Sequence, residues 1–171
     1  MTDITNIVKY ELLIIYKLQN YFDYNQLKHI IKTTKIFTNK RSIFFFVFIA
    51  LLYDYMVCIK LIIGIGISRT SNFYIKNSIR SLRPYNKYPR IIKYYKKKKK
   101  LSYSFPSQSI QNVTVVYYIF NQQYYLITLF YWYIMIAISL TRMFRGLHYP
   151  HDIIFSYLYS YFIALFLNYL F

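Results

Sequence analysis

Hydrophobic positions along this chain fall into long blocks separated by short polar and basic stretches. The first block, 42–68, is apolar except for Asp54 and Lys60. About 20 apolar residues cross the hydrocarbon of a bilayer, so the block predicts one tilted span. Asp54 would be costly against lipid and is expected inside a bundle, near Lys60. Gly64 and Gly66 in the same block predict close packing or a bend. Residues 69–105 read as a polar loop, and the chain turns apolar again from Ser107. Residues 113–120 are β-branched and aromatic, which alone suits a strand, but their apolar neighbours predict a helix in lipid. Asn121, Gln122 and Gln123 read as a turn, followed by a second span at 124–140 and a third at 153–171. Ahead of all these, Ile4, Ile7, Val8, Leu12, Ile15 and Leu18 recur at helical spacing with Lys9 and Lys17 between them. That pattern suits a helix lying on a membrane surface or one packed on protein. Only helices and closed barrels satisfy backbone polarity in lipid. The predicted fold is therefore all-α: an integral membrane helical bundle at 42–171 preceded by an amphipathic segment at 1–41.

Composition agrees with that pattern. Hydrophobic residues make up 57% of the 171 positions, and the formal charge is +17. A soluble domain of this size would have to hide most of that apolar content, whereas here the charges sit between apolar blocks. Cys58 is the single cysteine, which excludes an intrachain disulfide framework and a cysteine metal cluster. Residues 76–100 carry eleven Lys or Arg and no acid. The run at 96–100 reads first as a solvated loop, and secondarily as an attractant for anionic lipid headgroups or phosphates. No nucleic-acid-binding module is recognisable, so nucleic acid is not an expected partner.

Chemistry concentrates near the C-terminus. The chain has three histidines and five acids, and His148, His151 and Asp152 lie within five residues. Three polar clusters flank the spans: Lys76 with Arg83-Pro84, then Pro106-Ser107-Gln108-Ser109 at a helix start, then Thr141-Arg142 through His148 to Asp152. An antiparallel pair of helices at 107–121 and 124–142 puts the second and third clusters at one end of the bundle, and the span before Lys76 delivers the first there too. Lys76, Arg83 and Arg142 can then surround a phosphate, with arginine suited to bidentate contact. Ser107 can add a hydroxyl and helix-start amides. His148 can attack phosphorus, and Asp152, four residues on, can fix its tautomer. This constellation needs no metal and no cofactor.

These clusters resemble the type 2 phosphatidic acid phosphatase family, which shares its helical core with vanadium haloperoxidases. The family pattern is Lys-x6-Arg-Pro, Pro-Ser-Gly-His and Ser-Arg-x5-His-x3-Asp. The first is matched by Lys76, Arg83 and Pro84, and the third by Thr141, Arg142, His148 and Asp152, with Thr in place of Ser. The resemblance implies phosphate binding by Lys76, Arg83, Ser107 and Arg142, a phosphohistidine on His148, and orientation of His148 by Asp152. It implies lipid phosphates or lipid pyrophosphates as substrates. The second motif departs from the pattern: Gln108 and Ser109 stand where the family has Gly and His. The missing His is the one expected to protonate the leaving group, help typically worth about 10²–10⁴-fold. A pyrophosphate leaving group tolerates that loss better than an alkoxide. His151 is a candidate substitute, against the plainer reading of a solvated polar residue. The alternative to an enzyme is a relative that binds lipid phosphates without turnover. Lys40 and Arg41 ahead of a single span favour a multi-pass protein with its site on the extracytoplasmic or lumenal face, although the basic loop opposes that orientation.

Overall fold

The computed structural model describes residues 2–95, 103–121 and 127–171. Gln122, Gln123 and the start of the expected span at 124, like the lysine run at 96–100, lie outside the described residues. Every regular element among the described residues is helical: α1 (Thr2–Tyr21), α2 (Tyr24–Phe37), α3 (Lys40–Tyr53), α4 (Tyr55–Ile79), the single turn α5 (Pro84–Lys87), α6 (Gln108–Asn121), α7 (Ile127–Phe144) and α8 (Pro150–Leu170).

The expected single span at 42–68 is two helices. Asp54 has extended backbone and ends α3, and its side chain accepts from the Met56 amide at 2.8 Å to cap α4. A hydropathy pattern sees one apolar run; the capping carboxylate cuts it, because a helix start leaves amides that need an acceptor. Ile43 and Ala50 of α3 then share a core with Val57, Cys58, Leu61 and Ile65 of α4.

That core is completed by Val115 and Ile119 of α6 and Ala164 and Leu167 of α8. Gly64 sets the approach of the three helices. A Cβ there would lie 2.9 Å from Val115 Cγ1 and 3.0 Å from Leu167 Cδ1, closer than side-chain carbons pack. Gly66 faces open space and has no such role. A second cluster joins Ile110 and Tyr117 of α6 to Tyr131, Met135 and Ile138 of α7 and Ile153 of α8.

Apolar side chains cover the outside of the bundle as well as its core. Phe44, Phe48 and Leu52 of α3, Ile62 and Phe73 of α4, Ile136 of α7 and Phe162 and Phe166 of α8 all point outward, while Ser68, Asn72, Gln111, Thr114, Ser156 and Ser160 are buried between helices. Contiguous exposed apolar surface on this scale fits contact with lipid. Two stretches, Tyr55–Lys87 and Pro150–Leu170, are long and apolar enough to cross a membrane; Arg41–Leu52 and Phe130–Phe144 are apolar but shorter.

The N-terminal segment docks on the protein. Glu11, Ile15 and Gln19, each four residues apart, form one row and are all buried. The Gln19 amide donates to the carbonyls of Lys93 and Phe144 at 2.9 and 2.7 Å. Tyr10, Leu13, Ile14 and Tyr16 are left on the outer face. Helix α2 runs against α7, with Thr34 and Thr141 in hydroxyl contact at 3.4 Å.

Candidate active site

The three polar clusters meet at one end of the bundle. From the first, the Lys76 ammonium donates to the Tyr103 carbonyl at 3.2 Å, and the Arg83 guanidinium to the Leu147 carbonyl at 2.9 Å. The first cluster is thus tied to the approach of the second and to the residue before His148. The joins are reinforced by backbone contacts, Ser104 N to Ser81 O at 2.8 Å and Tyr85 N to Gly146 O at 3.3 Å. Pro84 starts α5 at a position that needs no amide hydrogen.

Gly146 makes the exit from α7. Its φ is +61°, and the amides of Gly146 and Leu147 return to the carbonyls of Met143 and Arg142 at 2.8 and 3.0 Å, a left-handed helix end that favours glycine. A Cβ there would lie 2.7 Å from Ile92 Cγ2. This turn delivers His148 to the start of α8, where it is 5% exposed.

His148 Nδ1 faces Asp152 Oδ2 at 3.5 Å, within ion-pair range and long for a hydrogen bond. Asp152 is fully buried and sits in the first turn of α8, inside the helix rather than ahead of it. Its Oδ2 accepts the Tyr149 amide at 2.9 Å, which fixes the carboxylate beneath the imidazole. Burial holds the His148 pKa down at about 3; the nearby Arg83 and Lys76 charges add to the depression, and Asp152 opposes it. The ring is therefore neutral at pH 7, with Nδ1 turned to Asp152 and Nε2 left for an electrophile.

From the second cluster, Ser107 is fully buried, and its hydroxyl has no hydrogen-bond partner among the described residues. It does not cap α6. Its amide instead donates to Ser156 Oγ, one turn beyond Asp152, at 2.6 Å, so α6 and α8 are pinned together beside the site. Asn72 holds the same loop, donating to the Pro106 carbonyl at 3.3 Å and to Gln111 Oε1 at 2.6 Å. Ser109 is half-buried and Gln108 donates along its own helix to Asn112 at 2.9 Å. Arg142, in the last turn of α7, donates to Thr38 Oγ1 after the end of α2 at 2.9 Å. Arg145, three residues on, is buried. Burial lowers its pKa, and the neighbouring Tyr94 opposes that shift.

His151 is not a simply solvated side chain. Its Nδ1 lies 2.8 Å from Glu11 Oε2, and its Nε2 lies 3.1 Å from Asp152 Oδ1. Glu11 was invisible to local spacing, because its partner is 140 residues away; its one signal is an acid within an apolar helical repeat. Among the described residues no group of three His, Cys, Asp or Glu has the arrangement of a metal site. An apolar cleft of about 460 Å³ between α3, α6 and α7 is lined by residues such as Ile43, Phe46, Val116 and Ile134 and includes none of the site residues.

Comparison with known proteins follows the same lines. The model of the PAP2 superfamily matches residues 55–171. A crystal structure described as the first transmembrane PAP2-type phosphatidylglycerolphosphate phosphatase, from Bacillus subtilis, superposes with a TM-score of 0.73, covering 95% of this chain and 85% of that one at 15% identity. A comparison with curated proteins found no match.

Proposed function

The chain belongs to the PAP2 superfamily, and on that premise we propose that it is an integral-membrane, multi-pass phosphatase acting on a lipid phosphate or lipid pyrophosphate through a phosphohistidine on His148. The observation that carries this reading is the convergence of a buried, neutral His148 backed by Asp152 with the cations Lys76 and Arg83, which are tied to Tyr103 and Leu147 beside it. His148 Nε2 attacks phosphorus while its Nδ1–H is held toward Asp152. Lys76, Arg83 and Arg142 stabilise charge on the phosphoryl oxygens, joined by the Ser107 hydroxyl. The leaving group departs, water attacks the phosphohistidine, and His148 is regenerated with release of phosphate. No metal or cofactor enters this scheme.

The unpartnered, buried hydroxyl of Ser107 supports the phosphate-binding role, since burying an unsatisfied hydroxyl is unfavourable unless a ligand completes it. Ser109 supplies no acid of useful strength, so the reading favours a good leaving group, a pyrophosphate over a simple monoester. The test is phosphate release by detergent-purified protein in EDTA, from a diacylglycerol phosphate and a prenyl pyrophosphate. Metal-independent release that His148→Ala abolishes is expected. Ser109→His is expected to raise monoester turnover by about 10²-fold or more, the scale of general acid catalysis. No release from the native chain or from Ser109→His would favour the second reading, a relative that binds lipid phosphates without turnover; the Gln108-Ser109 departure is the observation in its favour.

A further inference from the structure

One residue of the site lies outside the three clusters, and it pairs with His151 of the third. Glu11 is buried on α1, and its carboxylate engages His151 twice: both oxygens lie within 2.9 Å of Nδ1, and Oε1 also accepts the His151 amide at 3.0 Å. The other ring nitrogen, Nε2, lies 3.1 Å from Asp152 Oδ1. The second oxygen of Asp152 faces His148. The four side chains thus form a continuous series, Glu11, His151, Asp152, His148, running from the N-terminal helix to the nucleophile.

We propose that Glu11 and His151 are positioning residues for the reaction at His148: the Glu11–His151 pair fixes the Asp152 carboxylate that orients the nucleophile. This inference rests on the phosphatase reading above. Both nitrogens of His151 face carboxylate oxygens: Nδ1 hydrogen-bonds Glu11, and Nε2 stands in ion-pair range of Asp152 Oδ1. With both nitrogens engaged, His151 has none left to protonate a leaving group, so it does not replace the missing acid of the second motif. Its effect is on Asp152. The buried Oδ1 has no aligned hydrogen bond among the described residues; His151 is the cation set against it. Remove that cation and the Asp152 carboxylate loses the charge set against Oδ1, which frees Oδ2 to turn away from His148 Nδ1. A purely structural role, Glu11 capping the start of α8, would tie α1 to the bundle without touching the chemistry.

Among the described residues, the charged or titratable groups facing His151 are Glu11 from α1, Asp152 from its own helix, and Tyr149, whose ring stacks on it at 5.3 Å. Phe105, ahead of α6, adds an apolar ring at 6.0 Å. The test measures kcat and KM from pH 5 to 10 for the full chain, Glu11→Gln and His151→Gln, with a prenyl pyrophosphate in detergent micelles. The expected result is a loss of about 10- to 100-fold in kcat for both variants, the range of a small misplacement at a reacting group. KM should stay within about twofold, and the alkaline limb of Glu11→Gln should move to lower pH. An active wild type whose variants keep both kcat and the alkaline limb overturns this inference alone. An inactive wild type overturns the phosphatase reading and this inference with it. Because Glu11→Gln can also fail to fold, the wild type is probed directly with diethyl pyrocarbonate, which modifies neutral imidazole. His29 is exposed and serves as the internal standard. His151, despite a side chain 46% exposed, should resist modification at pH 7 while His29 reacts; equal reactivity of the two would contradict the clamp.

Discussion

At the scale of residues, the group whose state matters most is His148, the proposed nucleophile. His148 ordinarily titrates near 6.5 and is held at about 3 in the fold by burial. Above pH 6.5 both folded and unfolded chains carry it neutral, so it adds no pH dependence there. As pH falls from 6.5 toward 3, the unfolded chain binds a proton that the folded one does not. Stability therefore drops across that window, by at most about 1.4 kcal/mol per pH unit for one proton. Denaturation of the detergent-solubilised protein between pH 7 and 4 should show a steeper acid loss for the native chain than for His148→Asn; parallel profiles would contradict a neutral, buried His148. His148 and Asp152 were legible in the sequence because their relation is local, four residues apart at the start of one helix. Glu11 was not, because what defines it is a partner 140 positions away.

At the scale of elements, Asp54 and Gly64 show what an apolar pattern does and does not carry. The hydrophobic block at 42–68 is helical with exposed apolar side chains, yet one carboxylate that caps the Met56 amide divides it into α3 and α4. Two glycines in that block looked equivalent in sequence, and packing separates them: only Gly64 abuts Val115 and Leu167. Gly64→Leu should therefore destabilise the bundle by about 1–3 kcal/mol through overpacking, whereas Gly66→Leu should leave thermal stability in detergent unchanged. Equal melting of the two variants would remove Gly64 from the α4–α6–α8 junction. The second-motif loop was read as a helix start, and it is one, but the Ser107 hydroxyl stays clear of capping and the amide is taken by Ser156. Nothing in the local sequence around Ser107 announces a partner on α8.

At the scale of the whole molecule, the membrane bundle was legible because lipid imposes long apolar blocks, and the family was legible because three motifs occur in order. The side of the membrane divides the observations. Lys40 and Arg41 ahead of a single span argue for an extracytoplasmic or lumenal site. The α3–α4 break instead lets the chain turn back before Lys76, which removes the single span that separated Lys40 and Arg41 from the basic loop and gives the positive-inside rule weight for the cytoplasm. Asn86 is exposed in α5 beside the site, and the native Cys58 is buried, so Asn86→Cys reports the side with little background. Labelling of intact cells by a membrane-impermeant thiol reagent is the expected outcome for the extracytoplasmic site; labelling only after lysis would reverse the orientation. The claim that His148 is a nucleophile in this membrane fold is tested most directly by trapping. Purified protein is mixed with lipid pyrophosphate bearing a ³²P-labelled terminal phosphate and quenched within milliseconds in alkali, where phosphohistidine survives. The account predicts an alkali-stable, acid-labile phosphoprotein whose label maps to His148 and disappears in His148→Ala. Turnover with no label on His148, or label on another residue, would contradict it.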